Sequence, residues 1–179
     1  MKRLGIFVAV CAVAAASGFA LAGTADAGKS GQVKAAPKAA PNGLEIPSDY
    51  KNWRIIAPSH RTDNDSLRII LGNDVAVKAA RSGKTKPWPD GAILAKLVWK
   101  DRKDDNWEDA TVPGRFIHAE FMFKNAKKFK ATGGWGFARW LGKAQKPYGD
   151  DAEFVQECYS CHTPVESRDF VYTTPAQLP

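Results

Sequence analysis

The stretch Cys158-Tyr159-Ser160-Cys161-His162 decides how the rest of this sequence is interpreted. Two residues separate its thiols, so a helix would place both on neighbouring positions of one turn, and an imidazole follows directly. This arrangement is typical of covalent haem attachment, in which two thioether bonds hold the macrocycle and the histidine binds its iron. A disulfide, half of a zinc site and two buried thiols are the alternatives. The motif predicts one covalent haem c per chain, bound by Cys158 and Cys161, with His162 as iron ligand.

The N-terminus carries the pattern of a secretory signal peptide. Met1-Lys2-Arg3 is basic, Leu4 to Leu21 is an apolar run rich in alanine and valine, and Ala25-Asp26-Ala27 fits an A-x-A cleavage site. We therefore predict a signal peptide over residues 1–27, with export to the periplasm. Cleavage after Ala22 and an uncleaved membrane anchor are the alternatives.

Cysteine count and charge limit the function classes. Of three cysteines, Cys11 would leave with the signal peptide, and the two that remain are too few for a disulfide scaffold. The formal net charge is +7, and loss of residues 1–27 would leave +6. This charge suits either an ordinary basic surface or docking to an acidic periplasmic electron-transfer partner. No nucleic-acid-binding motif is present, so we expect no nucleic-acid partner.

Residues 28–43 are rich in alanine, lysine and proline and predict a flexible linker, which leaves residues 44–179 as one haem-binding domain. Helices are predicted from Asp74, as the capping residue, and from Asp150, the second carrying the haem-type motif and ending at Pro164. β-rich runs are more numerous. The sequence predicts a mainly β (α+β) fold: an antiparallel sheet, a few short helices and a haem-bearing helix near the C-terminus. The predicted strands are residues 54–59, 66–71, 92–100, 115–124, 135–141 and 170–173.

Lys96 lies in the middle of the predicted strand 92–100, on the same face as Leu94 and Val98. A lysine between apolar neighbours is costly to bury unless it points to water, pairs with an anion or reacts. An exposed face of an edge strand is therefore the alternative to a reactive position for Lys96.

Glu120 lies in strand 115–124, and alternation places it on one face with Phe116, His118 and Met122. Buried over a haem, its carboxyl would have a raised pKa and could accept protons at neutral pH. A solvated Glu120 paired with a lysine is the alternative.

The position of the haem motif excludes two common classes. In the usual soluble c-type cytochrome the motif lies near the N-terminus and a methionine ligand follows far downstream, whereas no Met or His follows His162 here. The long helices of four-helix cytochromes c′ are also not predicted. A sixth iron ligand would have to come from upstream, where Met122, His118 and His60 are candidates. The second ring nitrogen of His162 would need an acceptor such as a backbone carbonyl.

Several short motifs, taken in order, resemble the cytochrome P460 family, which also includes the β-sheet cytochromes c′. The likeness runs from about Tyr50 to Thr173, nearly all of the predicted domain. Its parts are Trp53-Arg54-Ile55, Asp90-Gly91-Ala92-Ile93-Leu94-Ala95-Lys96, Phe116-Ile117-His118-Ala119-Glu120, Lys127-Lys128-Phe129, Gly134-Trp135-Gly136-Phe137, the haem motif and Asp169-Phe170-Val171-Tyr172-Thr173.

The resemblance implies a homodimeric periplasmic protein with an antiparallel sheet and His162 as the proximal ligand. In P460 members a strand lysine is cross-linked to the haem macrocycle, and Lys96 matches it. A distal carboxylate transfers protons, and Glu120 matches it. The β-sheet cytochromes c′ instead have an apolar distal pocket that binds nitric oxide or carbon monoxide. Glu120 favours the P460 side, and His118 departs from the pattern, either as a second proton group or as a ligand that closes the iron.

Three function classes remain open. The first is an open-site haem protein that oxidises hydroxylamine, with Glu120 as the catalytic group, or that binds nitric oxide without turnover, so enzyme activity itself stays open. The second is a six-coordinate electron carrier. The third is a thiol–disulfide protein using Cys158 and Cys161, although the βαβ pattern of thioredoxin-like proteins is absent before the motif.

Overall fold

A computed structural model describes residues 36–179. The predicted signal peptide and the first part of the predicted linker lie outside the described residues. Within residues 36–179, no helix is long and apolar enough to cross a membrane. The Lys38 carbonyl accepts a hydrogen bond from Trp140 Nε1 at 2.9 Å, and Ala40 is buried. Contacts with the sheet therefore begin earlier in the chain than the predicted domain start at residue 44.

Among the described residues, six antiparallel strands form one sheet, and the order of strands in the sheet is their order in the chain. Each strand pairs with its neighbours in sequence, so the connections can be short. The predicted mainly β fold with an antiparallel sheet and few short helices is confirmed. The strands are β1 (Arg54–Arg61), β2 (Ser66–Gly72), β3 (Ile93–Lys103), β4 (Thr111–Lys124), β5 (Trp135–Leu141) and β6 (Lys146–Pro147).

The described part of the chain has two α-helices, α1 (Asp74–Arg81) between β2 and β3 and α2 (Val155–His162) after β6. The cap of α1 is Asn73, whose side chain accepts a hydrogen bond from Ala76 N at 3.0 Å. The prediction of Asp74 as the cap was wrong by one residue, because Asp74 is already helical and pairs with Arg54. Shorter 3₁₀ turns span Tyr50–Asn52, Lys130–Thr132, Ala152–Phe154 and Thr163–Arg168.

The predicted closing strand at residues 170–173 is absent from the sheet. Asp169 and Phe170 have φ values of 54° and 62°, in the left-handed region, so the chain turns there instead of extending. Phe170 and Val171 are nevertheless buried, and they pack in the core that α1 and α2 cover. The prediction of a strand was therefore wrong, and the apolar residues of this segment reflect burial in the core.

The two faces of the sheet carry separate cores. One face packs Ile70, Leu94 and Phe137 against residues of α1 and α2. The other face packs Ala95, Ala119, Phe121 and Trp140 against Tyr50 and apolar residues in the segment 40–46. The alternation predicted for β3 holds, since Leu94 and Ala95 lie in different cores.

The alternation predicted for β4 fails at Phe116. Val98 pairs with His118, but the next β3 residue, Trp99, pairs with Phe116, so Ile117 is an extra residue in β4. An extra residue reverses the direction of the side chains beyond it. Phe116 consequently contacts the Trp99 ring at 5.5 Å between ring centroids and packs with the second core, not on the face of Glu120.

Candidate functional site

The haem-type motif lies on α2, which begins after a capped turn. Asp151 accepts a hydrogen bond from Glu153 N at 2.9 Å, and the 3₁₀ turn that follows runs directly into the helix. Cys158 is half-buried and Cys161 is exposed, and neither forms a disulfide. Burial raises the pKa of the Cys158 thiol to about 11. A thiol–disulfide enzyme needs a readily formed thiolate, so this environment disfavours that class.

His162, at the end of α2, is held in one orientation. Its Nδ1 lies 2.6 Å from the carbonyl oxygen of Phe170, which supplies the expected backbone acceptor. The ring contacts Phe137 and Tyr172, with centroid distances of 5.1 and 5.5 Å. Burial lowers the pKa of His162, so the neutral imidazole is favoured. Nδ1 therefore carries the proton, and Nε2 is the nitrogen that can bind a metal.

A cavity of about 1030 Å³ brings the predicted residues together. Cys158, Cys161 and His162 line it, as do Lys96 and Glu120. Its volume matches the upper end of the ~300–1,000 Å³ typical of ligand pockets. The lining also includes Arg61, Arg68, Leu94, Met122, Phe137, Arg139 and Tyr172.

One cross-strand row supplies the charged wall of this cavity. Lys96 pairs in register with Glu120, and Glu120 pairs with Arg139. Directly paired residues on neighbouring strands project from the same face of the sheet. Lys96 consequently forms an ion pair with Glu120, and Arg139 Nε lies 2.7 Å from Glu120 Oε1. The side chain of Lys96 is one-third exposed and that of Glu120 is 18% exposed, so the pair lies at the boundary of cavity and solvent.

The pKa of Glu120 differs from the expectation. Burial raises it, but the charges of Lys96 and Arg139 outweigh burial and lower it to about 2. The predicted rise in pKa considered only desolvation and missed that two neighbouring strands each place a cation against the carboxylate. In this structure Glu120 is an anion at neutral pH.

The candidate sixth ligands occupy different places. Met122 lines the cavity beside the apolar core, whereas His60 is exposed on β1 with its Nε2 2.6 Å from Asp101. His118 is not among the residues that line the described cavity, and its Nε2 lies 3.3 Å from Glu120 Oε1. Burial is the main reason that the pKa of His118 falls to about 4. His118 is thus a neutral neighbour of Glu120 at neutral pH.

Arg61 and Arg68 line the cavity as well, on the adjacent strands β1 and β2. Arg61 forms an ion pair with Asp63, and Arg68 donates to Ser66 Oγ at 3.2 Å. Burial and the Arg61 charge lower the pKa of the Arg68 guanidinium. Guanidinium groups bind carboxylates through paired hydrogen bonds, so this part of the cavity suits an anionic group.

Three of these cavity residues were missed in the sequence, namely Arg61, Arg68 and Arg139. Arg139 follows the alternation of strand 135–141, so the face of its side chain was predictable. Its pairing with Glu120 was not, because the register between β4 and β5 is set by the turn that joins them.

The family is decided by a comparison of the whole sequence with protein families. The sequence model of cytochrome P460 matches residues 47–173, most of the chain. The chain belongs to the cytochrome P460 family. Membership makes it a haem-binding, iron-containing cytochrome. No curated protein matches the chain at a significant level.

The cavity fits the haem that a cytochrome P460 fold implies. Two free thiols and a neutral imidazole with an oriented Nε2 are the donor set of a c-type site. Leu94, Met122 and Phe137 form an apolar part of the wall, and Arg61 and Arg68 would supply cations for the carboxylates of the macrocycle. A haem combines an apolar ring with two acidic side chains, and the lining is amphipathic in the same way.

Proposed function

We propose that this cytochrome is a periplasmic, mono-haem c-type protein of the P460 type that oxidises hydroxylamine. The observation that carries the proposal is the presence of Lys96 and Glu120, paired across β3 and β4, on the wall of the cavity that Cys158, Cys161 and His162 also line. An electron carrier needs an iron whose two axial positions are both occupied by protein ligands. Its function does not require a paired lysine and carboxylate at that position. A hydroxylamine oxidase needs both an open position and a proton acceptor.

The chain's own residues would divide the work as follows. Cys158 and Cys161 would each bind the macrocycle covalently, and His162 would bind the iron through Nε2. Arg61 and Arg68 would hold the carboxylates. A haem bound in this way supplies redox-active iron with a free coordination position for the substrate. Two hydroxylamine molecules would yield one nitrous oxide and one water, releasing four protons and four electrons.

Glu120 would receive those protons, and its position is held by Arg139. In this structure the low pKa makes Glu120 a weak base. A covalent bond between Lys96 and the macrocycle would increase the basicity of Glu120, because the bonded amine would no longer be an ammonium paired with the carboxylate. That bond removes one hydrogen from the amine and one from the ring carbon, so it requires a two-electron oxidant such as a peroxide. The pKa of Glu120 would then rise toward the range of a useful base.

A second candidate function is nitric oxide binding without turnover, and a third is electron transfer. One observation supports electron transfer: the thioether of Met122 lines the same cavity, and a thioether is a known type of axial iron ligand. The homodimer and the periplasmic electron-transfer partner that the family resemblance implies belong to this proposal too. Sedimentation of the purified protein would measure the oligomeric state.

The deciding experiment is an absorption spectrum of the protein purified from a periplasm that attaches haem, in ferric and dithionite-reduced forms, followed by hydroxylamine turnover with an artificial electron acceptor. A broad, red-shifted ferrous band with turnover would support the P460 function. A normal high-spin c-type spectrum without turnover would replace it with nitric oxide binding, and sharp low-spin bands would replace it with electron transfer.

A further inference from the structure

The chain makes an unusual turn directly after the 3₁₀ segment Thr163–Arg168 that continues from α2. Asp169 and Phe170 both have positive φ values, 54° and 62°, although neither is glycine. Consecutive non-glycine residues in this region are uncommon and persist only where surrounding contacts hold them. The contacts at this turn are therefore informative.

Asp169 makes three polar contacts with residues distant in sequence, and its N donates to Glu166 O at 2.8 Å within the turn. Its Oδ1 lies 2.7 Å from Lys124 Nζ, and its Oδ2 accepts a hydrogen bond from Trp88 N at 2.7 Å. Its backbone carbonyl accepts a hydrogen bond from Trp135 Nε1 at 2.9 Å. The Lys124 side chain is 5% exposed and that of Asp169 is 11% exposed, so this ion pair is shielded from water. Lys124 at the end of β4 and Trp135 at the start of β5 thereby tie the turn to the sheet.

The next residue presents its carbonyl to the histidine of the haem motif. Phe170 is buried, its N donates to Val165 O at 3.1 Å, and its carbonyl oxygen lies 2.6 Å from His162 Nδ1. A shift of the Asp169 peptide would move this carbonyl, since the two are adjacent in the chain. The geometry that orients His162 thus depends on the contacts of Asp169.

Stability alone is a weak explanation for the buried pair. Removing two charges from water is costly, and apolar residues of similar size often stabilise a fold as well or better. A buried pair does, however, select one geometry, because either charge alone would remain uncompensated. Lys124 and Asp169 are therefore suited to hold the backbone of this turn in one geometry.

We propose that Asp169, held by Lys124, is a positioning residue for His162. It keeps the Phe170 carbonyl at Nδ1, which retains the proton on that nitrogen and directs Nε2 toward the metal. This inference rests on the proposed function only for the role of the iron, because the hydrogen bond belongs to the chain itself. The outer-sphere acceptor in turn strengthens the imidazole as a ligand.

The test compares Asp169→Asn with Leu71→Ala. Asparagine tolerates positive φ and can still accept from Trp88 N, so the substitution removes chiefly the charge that pairs with Lys124. Leu71→Ala is the control for a general loss of stability. It weakens the core on the other face of the sheet and contacts neither Asp169 nor His162. Lys124→Met and the double variant Lys124→Met/Asp169→Asn complete a double-mutant cycle. The double variant leaves neither charge of this pair buried without its partner.

Two readouts report on His162. The first is nuclear magnetic resonance of protein labelled with [¹⁵N]histidine, in the ferrous carbon monoxide form where haem is attached and otherwise as purified. His60→Gln and His118→Gln variants assign the three histidines. The second is the iron–histidine stretching frequency of the ferrous protein. We expect Asp169→Asn to lose the slowly exchanging Nδ1 proton and to lower the stretching frequency, with Leu71→Ala unchanged in both.

An Asp169→Asn variant that keeps the Nδ1 proton and the stretching frequency would overturn the proposal. So would equal losses in Leu71→Ala, since these would show a general effect of instability. If Asp169→Asn does not fold, the double variant carries the same comparison. A chain that takes up no haem but loses the Nδ1 proton in Asp169→Asn would refute the proposed function and retain this inference.

Discussion

The Nε atom of Arg139 lies 2.7 Å from Oε1 of Glu120, and the two residues are direct partners across β4 and β5. Lys96 meets the same carboxylate from β3, so two flanking strands each supply a cation to one anion. Burial raises the pKa of Glu120, yet these cations lower it to about 2. The proton affinity of Glu120 therefore depends on the charges of its neighbours, and each can be altered separately.

The Lys96→Leu variant is expected to keep covalent haem but to show an ordinary c-type absorption spectrum. Leucine has no nitrogen to bond to the macrocycle, whereas Cys158 and Cys161 remain. Lys100→Leu is the matched control, because Lys100 lies on the same strand and its Nζ donates to Asn64 O at 2.8 Å, away from the cavity lining. A Lys96→Leu spectrum identical to that of the wild-type protein would contradict a cross-link at Lys96.

The Glu120→Gln variant is expected to slow hydroxylamine oxidation by about 10²–10⁴-fold with haem content unchanged, because the amide cannot accept the substrate protons. Turnover under saturating substrate measures the effect. Glu153→Gln is the control, since Glu153 is exposed and does not line the cavity. Equal rates in the wild-type protein and Glu120→Gln would remove this residue from the mechanism.

The sequence was informative where one residue or one strand determines the outcome. Strands β1 to β5, the faces of Lys96 and Glu120 and the helix of the haem motif follow from alternation, turn residues and spacing. Features that need two distant segments were not predictable. The extra residue Ile117 shifts the register between β3 and β4, and the Arg139 contact depends on the separate register between β4 and β5. The turn at Asp169 likewise requires Lys124, which is distant in sequence.

Stability of the folded protein is expected to fall as the pH drops from about 6.5 to 4, in part through His118. Its pKa is about 4 in the folded chain against 6.5 for an ordinary histidine, so the unfolded state binds the proton first. This difference corresponds to about 3 kcal/mol of unfolding free energy, present above pH 6.5 and lost as the pH approaches 4.

Denaturant unfolding across this pH window measures the effect. His118→Gln should flatten the dependence, whereas Leu71→Ala, which removes no titratable group, should lower stability without changing the slope. The carboxyl of Glu120 adds a separate loss at lower pH, between 4.5 and about 2. An unchanged slope in His118→Gln would show that burial of this histidine does not govern the acid response.

The Arg68→Gln variant is expected to carry covalent haem on a smaller fraction of chains, measured by haem absorbance per protein. Loss of a charge-assisted hydrogen bond weakens the binding that precedes thioether formation by about 1.5–3 kcal/mol. Arg115→Gln is the control, since Arg115 is exposed on β4 and does not line the cavity. Equal haem content in both variants would argue against Arg68 as a carboxylate-binding group.

The Gly133→Ala variant is expected to lose more stability than Gly43→Ala, although both glycines have positive φ values, 66° and 79°. A methyl group at Gly133 would overlap the ring of Phe170, whereas nothing lies within 4 Å of one at Gly43. Backbone strain predicts a loss of about 1–2 kcal/mol at Gly43, and the added overlap raises the loss to about 2–4 kcal/mol at Gly133. Urea unfolding of both variants measures the difference.

The comparison of Gly133→Ala with Gly43→Ala also has an expected effect on His162, which Phe170 contacts. The Phe170 carbonyl holds His162 Nδ1, so displacement of the ring by Gly133→Ala should also disturb the imidazole, and Gly43→Ala should not. The iron–histidine stretching frequency would then fall in the first variant alone. Equal stability losses with unchanged frequencies would mean that the chain around Phe170 yields easily, and that its carbonyl is not held as rigidly as the contacts of Asp169 indicate.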